Sequence, residues 1–516
     1  MHRVRHLQQQ TQDKGLTADW FKPKKIMSRR IKMNEKFVSA MNEENNWKLT
    51  ENMASALKST KNDLVDLFAV IGALRTREEF DIEQLFSKAF YEDKLLATKM
   101  SFYARNIRGG LGERRTARVI WGWLAKLYPA IMRKNIGFIP EFGRWDDLYT
   151  FVGTEVENEM WEEVRAQWKS DMQALKDDNA VSLLGKWLKS VNTSSSESVK
   201  LGKLTAKKLG LTEKQYRKNL SAFRKQIDVV ERKMSAGKFT EINYSGVPSK
   251  AMNNYRNAFK KHDEEGFASY MEKVETGEEK INSGTLYPYD IVEKIMYEGE
   301  FNKVLEEQWK ALPNYVEDEN NMLVMADVSG SMYGRPIATS VGLAIYFAER
   351  NKGVFHNKFM TFSAEPDFVT LKGSTLYEKI HNAVNAHWDM NTDIEKAMRL
   401  ILNAAVTNKL EQADLPKALI IISDMEFDQC SRVDRATYYQ HMSKMFNDAG
   451  YELPKIIFWN VEARQDTFHA EMTNGVQFAS GQSPSVFGSI TSGLDLTAYD
   501  FMLEALNDPV YDGIAI

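Results

Sequence analysis

The stretch MLVMADVSGSM, residues 322–332, joins an unbroken apolar run to three oxygen-bearing side chains at alternating positions. Met322 to Ala326 read as a parallel strand buried on both faces, because a half-exposed strand would alternate polar and apolar residues. Asp327, Ser329 and Ser331 then leave the core at the strand's carboxyl end, with Gly330 easing the turn. Three hard oxygen groups in such a place suggest a held ligand.

Around this stretch the rhythm is that of an α/β domain. MLVMA, KFMTF, ALIIIS and KIIFW are short apolar runs of strand length, separated by helical segments such as RPIATSVGLAIYFAER and DIEKAMRLILNAAV. Strand and helix in alternation predict a doubly wound, mostly parallel sheet over residues 311–516. Open sheets of this kind hold ligands at the carboxyl edge. Two more stretches supply oxygens there: Thr392 in HWDMNTDIEKAM precedes a helix, and Asp424 in ALIIISDMEFD ends a buried strand as Asp327 does. Oxygen donors without His or Cys select magnesium, calcium or manganese over zinc or copper. The alternative role for Asp327 and the serines is to cap the following helix.

This set resembles the metal-ion-dependent adhesion site of von Willebrand factor A domains. The resemblance implies that Ser329, Ser331 and Thr392 bind Mg2+ (or Ca2+ or Mn2+), with Asp327 and Asp424 acting mostly through water. It also implies one coordination position left for water or a partner's carboxylate. The family's threonine loop often reads G-G-T, whereas Met390 and Asn391 precede Thr392 here.

From Met33 to about Lys310 the apolar spacing is helical, as in NDLVDLFAVIGALRTR and VIWGWLAKLYPAIMRK. Thr212 and Asp81 read as helix-start residues, and no clear strand signal is present. Residues 33–310 are therefore expected to form an all-helical layer of stacked pairs, HEAT-like, although no strict repeat occurs. Residues 1–32, with 9 basic and 2 acidic side chains, read as a mobile basic tail, and helical order is expected to begin near Met33. In SFYARNIRGGLGERRTARVIWGWL and NIGFIPEFGRWDDLYTF, residues Arg105, Arg108, Glu113, Arg114 and Arg144 read mainly as an ion-pair network between helices. Nucleic-acid contact by some of these arginines is the alternative. The spacing is not that of a phosphate-cradling loop.

Formal net charge is only −3, yet residues 182–261 carry 18 Lys and Arg against 5 Asp and Glu. Such a segment is a candidate polyanion surface. Candidate phosphate contacts are Lys203, Lys207, Lys208, Lys214, Arg217, Lys218, Arg224 and Lys225, interleaved with Trp187, Tyr216 and Phe223. A single cysteine, Cys430, excludes an intrachain disulfide and a Cys-rich zinc site. The absence of an apolar run of about 18 residues and of an apolar amino-terminal core points to a cytoplasmic protein without a membrane span.

The phrases NTDIEKAM and IISDMEFD, with the arginine-rich block, are similar to a family of plants, fungi and phages that joins a helical region to a von Willebrand A domain. More distantly, the architecture is similar to the Ro autoantigen (TROVE) proteins, whose helical ring binds small noncoding and misfolded RNAs. The resemblance implies a non-catalytic RNA-binding protein with a metal docking site. The alternative is a protein–protein adaptor whose metal grips an acidic side chain. An enzyme is not expected: His387 is the one histidine in the motif stretches, and DVSGS lacks the second aspartate of a D-x-D phosphatase motif.

Overall fold

The computed structural model describes residues 45–316, 321–362, 365–385, 393–429, 437–473 and 475–516. The tail 1–32, His387, Thr392 and Cys430 lie outside them. The chain divides into two units, Met1–Trp47 and Lys48–Ile516; the contacts below lie within the second. A short ribbon, β1 (Trp47–Leu49) with β2 (Ser55–Leu57), precedes a long helical region that begins at Asp63–Val70 and ends at Lys303–Lys310. The strands of the α/β part start at Met322, so helix gives way to strand where the composition changes.

Among the described residues six strands make the sheet: β3 (Met322–Asp327), β4 (Lys358–Phe362), β5 (Asp367–Thr370), β6 (Ala418–Ser423), β7 (Lys455–Asn460) and β8 (Val476–Ser480). Their spatial order is β5-β4-β3-β6-β7-β8, parallel throughout except for antiparallel β5 at one edge. Every residue of β3 and β6 is buried, which requires cover on both faces and explains their continuous apolar sequence. The helix Arg335–Arg350 packs on β3, β4 and β6, and the helix Pro288–Glu298 packs on it in turn. Winding proceeds from β3 to β4 on one side and returns to β6 on the other. The reversal leaves a crevice between the carboxyl ends of β3 and β6.

The helical region is fastened to the far edge of this sheet. The helix Asp63–Val70 packs across β8 beside Ala498–Leu506. Gly72 meets Gly481 so closely that a Cβ on Gly72 would lie 2.7 Å from the Gly481 Cα. The Ser480 hydroxyl donates to the Phe68 carbonyl at 2.9 Å and accepts from the Gly72 N–H at 3.0 Å. The carboxyl terminus is held likewise: the Ala515 N–H donates to Asn135 Oδ1 at 3.0 Å, and the Asn106 amide donates to the Tyr511 hydroxyl at 2.9 Å. A second apolar core, including Met252, Phe259, Tyr270 and Val304, holds the later helices together.

Candidate functional site

Asp327, the last residue of β3, is fully buried. Its Oδ1 accepts the Ser329 backbone N–H at 2.9 Å, and its Oδ2 accepts the Ser423 hydroxyl at 2.5 Å. Ser423 ends the neighbouring β6, and Asp424 follows it. Burial, and then the nearby Asp424 carboxylate, push the Asp327 carboxyl up to about 7. The Ser329 and Ser331 hydroxyls lie 3.1 Å apart, Ser329 buried and Ser331 half-buried. Four of the five residues read as metal ligands thus gather in the β3–β6 crevice; the fifth, Thr392, is outside the described residues, just ahead of Asp393, which caps the helix Ile394–Asn408.

Residues that the motif did not reveal complete the surroundings. The Arg464 guanidinium, in the loop after β7, forms an ion pair with Asp424 Oδ2 and reaches Glu51 at 3.3 Å. Asp424 Oδ1 accepts the Glu426 N–H at 3.1 Å. Glu426, itself buried, accepts the Glu51 N–H at 2.7 Å and the Thr467 hydroxyl at 2.9 Å. The amino-terminal ribbon therefore braces the loop after β6. Met425 sits at φ +66°, and its carbonyl accepts the His469 Nε2–H at 2.8 Å. No local sequence signal announces Arg464 or Glu51, because each reaches the crevice from a distant part of the chain.

The donors present fit a hard cation. Two adjacent buried carboxylates carry more negative charge than one arginine offsets, and the serine hydroxyls add neutral oxygens. Among the described residues no three His, Cys, Asp or Glu side chains gather, so any metal here draws on hydroxyls. Ser329 and Ser331, with Asp327 and Asp424 behind them, would hold it, and it would supply a Lewis-acidic position for an anionic oxygen.

The basic candidates divide. Lys203, Lys207 and Lys208 lie on the helix Ser196–Lys208, and Lys214, Arg217, Lys218, Arg224 and Lys225 on Glu213–Gln226, which Thr212 caps. Lys203, Lys207, Lys214, Arg217, Lys218 and Lys225 are exposed. Lys208 instead pairs with Glu157 at 2.8 Å, and Lys203 with Glu213 at 3.5 Å. Arg224 is turned inward, donating to the Gly185 and Leu188 carbonyls at 2.9 and 3.0 Å. Tyr216 and Phe223 are core residues packed on Trp168, while Trp187 is half-buried beneath the Arg144 guanidinium. The expected ion-pair network exists in part. Arg105 pairs with Asp147 at 2.7 Å, Arg144 with Asp146 at 2.8 Å, and Glu113 with Arg75 at 2.8 Å. Arg108 and Arg114 form no salt bridge with a described carboxylate.

Comparison with known families places these parts. Residues 50–180 and 186–322, more than half of the chain, match Domain of unknown function (DUF2828). The chain belongs to the DUF2828 family. In this DUF2828 chain the crevice lies outside that match: residues 321–491 match a second family model, Domain of unknown function (DUF7788). The "Uncharacterized protein L728" of Acanthamoeba polyphaga mimivirus is 27% identical over 514 residues, covering 91% of the DUF2828 chain and 89% of the viral protein.

Proposed function

We propose that the β3–β6 crevice is a divalent-cation docking site of the von Willebrand A kind and that the chain is a non-catalytic binding protein. The observation that carries this reading is the convergence of Asp327, Ser329, Ser331 and Asp424 at the reversal point of the sheet. Mg2+ is the proposed ion, with Ca2+ or Mn2+ as substitutes, and Thr392 is the proposed further ligand. A carboxylate of a partner protein would complete the coordination. On this reading the sheet is a von Willebrand A domain, the helical region is HEAT-like, and the protein works in the cytoplasm. Among the described residues no helix is long and apolar enough to cross a membrane.

Titrating Mn2+ by calorimetry against wild type and Ser329→Ala/Ser331→Ala tests the proposal. Loss of at least tenfold in affinity, with thermal unfolding unchanged, is expected. Unaltered Mn2+ binding in the double variant would overturn it.

A second reading, RNA binding by a Ro-like protein, draws support from the six exposed cations on two successive helices. Lys208 and Arg224, committed to Glu157 and to backbone carbonyls, would contribute least.

A further inference from the structure

Within the helical region, closed on one side by Arg335 and Gln482 of the α/β part, lies a cleft of about 1470 Å³. That exceeds the ~300–1,000 Å³ of a typical small-molecule pocket. Its lining holds nine arginines and two lysines against two glutamates. Several of these cations are committed to the protein itself. Arg75, Arg105 and Arg144 face carboxylates, Lys250 faces Asp290 at 3.3 Å, and Arg224 is bound to carbonyls. The remaining guanidiniums are different. Arg108, Arg114, Arg115, Arg232 and Arg335 are all exposed and form no salt bridge with a described carboxylate. Arg108 and Arg115 donate to the Glu141 and Arg77 carbonyls at 3.1 and 2.6 Å, which leaves the Arg114, Arg232 and Arg335 side chains without an ion pair or hydrogen bond among the described residues. They come from separate parts of the chain: the Gly-Gly turn, the start of the helix Arg114–Leu127, the helix Val230–Ser235, and the start of Arg335–Arg350.

A concave surface with this much unbalanced positive charge focuses potential and repels itself when empty. Although its side chain reaches solvent, partial desolvation by the cleft walls, then the neighbouring Arg144 and Arg118 charges, hold the Arg114 guanidinium below its usual pKa. The lining is also aromatic. The Arg144 guanidinium lies 3.9 Å from the Trp187 ring centre, and Lys186 lies 5.4 Å from the same ring. Arg335 lies 5.1 Å from the ring of Tyr289 and Lys250 6.0 Å from that of Tyr287. Cations set against planar rings make flat faces on which unpaired bases stack, and the exposed guanidiniums, Arg114 and Arg232 first among them, supply phosphate contacts between them. A duplex would hide its base faces, and an acidic peptide of Asp and Glu has no aromatic ring to stack on these surfaces.

We infer that this cleft is a binding site for single-stranded RNA several nucleotides long, separate from both the outer helices and the metal crevice. It rests on the RNA reading and moves the contact from Lys203–Lys225 to Arg114, Arg232 and Arg335, with Arg108 and Arg115 beside them. Asp146 and Asp147 fix the floor by holding Arg105, Arg118, Arg144 and Lys189.

The test is fluorescence anisotropy of the full chain with a labelled 12-nucleotide oligouridylate, titrated across salt. Wild type is compared with Arg114→Gln/Arg232→Gln and with Lys207→Gln/Lys218→Gln; circular dichroism checks the fold of each. The cleft variant is expected to bind at least tenfold more weakly and to lose about 1.4 from the log–log salt slope, ~0.7 per phosphate contact. The outer-helix variant should match wild type, and a hairpin duplex should bind more weakly than the single strand. Loss confined to the outer-helix variant would overturn the cleft and leave the RNA reading standing. Absence of wild-type binding, or equal displacement by polyglutamate of the same charge, would overturn both.

Discussion

Asp327 is a carboxylate placed where water cannot reach it, with a second carboxylate on the adjoining strand end and neutral hydrogen-bond donors around it. Without a bound cation its charge opposes folding. Asp327→Asn should therefore raise the unfolding temperature by a few degrees in EDTA, equivalent to ~1–3 kcal/mol, while abolishing Mn2+ binding. A lower unfolding temperature in EDTA would contradict this account. Arg464 is the counterion that a metal must share or displace. Arg464→Gln should tighten Mn2+ binding about tenfold, since a charge-assisted hydrogen bond is worth ~1.5–3 kcal/mol. Unchanged affinity would mean that the Asp424–Arg464 pair persists with the ion bound.

His469 sets a pH dependence at the same scale. Its Nε2–H is spent on the Met425 carbonyl, Nδ1 has no hydrogen-bond partner among the described residues, and the Phe427 ring stacks on it at 4.3 Å. Burial pushes its pKa down to about 4 from the ordinary 6.5. The unfolded chain therefore binds a proton that the folded chain refuses. The stability from a neutral His469 is complete above pH 6.5 and is lost as pH falls through 6.5 to 4, ~3 kcal/mol in all. Asp66, which burial pushes up to about 6 from 3.8, titrates with the opposite sign over the lower part of that range. Denaturant melts at pH 4.5 and 7.5 should thus show a smaller acid loss in His469→Gln than in wild type.

At the level of elements, the contact between Gly72 and β8 admits no side chain. Gly72→Ala would drive its methyl into the Gly481 backbone and should cost ~1–3 kcal/mol in urea unfolding. A neutral effect would mean that the helix can lift from the strand. The strands β3, β6 and β7 are legible because strands buried on both faces read as nearly unbroken apolar runs, and β4, KFMTF, because its apolar residues still dominate around Thr361. β8 is not: Gln477 and Ser480 interrupt VQFAS, and their partners, the Gly493 and Phe68 carbonyls, lie elsewhere in the sequence. The edge strand Asp367–Thr370 and the ribbon before Asp63 are too short to carry a period. Thr212 is the cap that its place before EKQYRKNLSAFRKQ suggests, its hydroxyl accepting the Gln215 N–H. Asp81 instead lies inside a helix that starts at Glu79. Of the candidate site, the alternating Asp and Ser positions are visible in one stretch. Arg464 and Glu51 are not, and although Arg108, Arg114 and Arg144 stand out in the sequence, their meeting with Arg232 and Arg335 does not, because only the folded chain brings these separate segments together.

On the scale of the whole chain, the α/β part does not own all of its cover. β8 is roofed by Asp63–Val70, the loop after β6 is braced by Thr50 and Glu51, and Arg335–Arg350 is backed by Pro288–Glu298. Residues 311–516 expressed alone should therefore lack a cooperative thermal transition and bind a hydrophobic dye, whereas residues 45–516 should melt cooperatively. A fragment that melts as sharply as the longer chain would show that this cover is dispensable.

The closure of Asp63–Val70 over β8 also has a meaning during synthesis. Gly72 leaves the ribosome 408 residues before Ser480, the residue that receives it. At ~5–20 residues per second, the face of the helix that meets β8 waits about 20–80 s uncovered, although Glu79–Glu92 packs on another side as soon as it is made. Over that interval the nascent protein offers chaperones a sticky segment, and β8 is the strand that withdraws it.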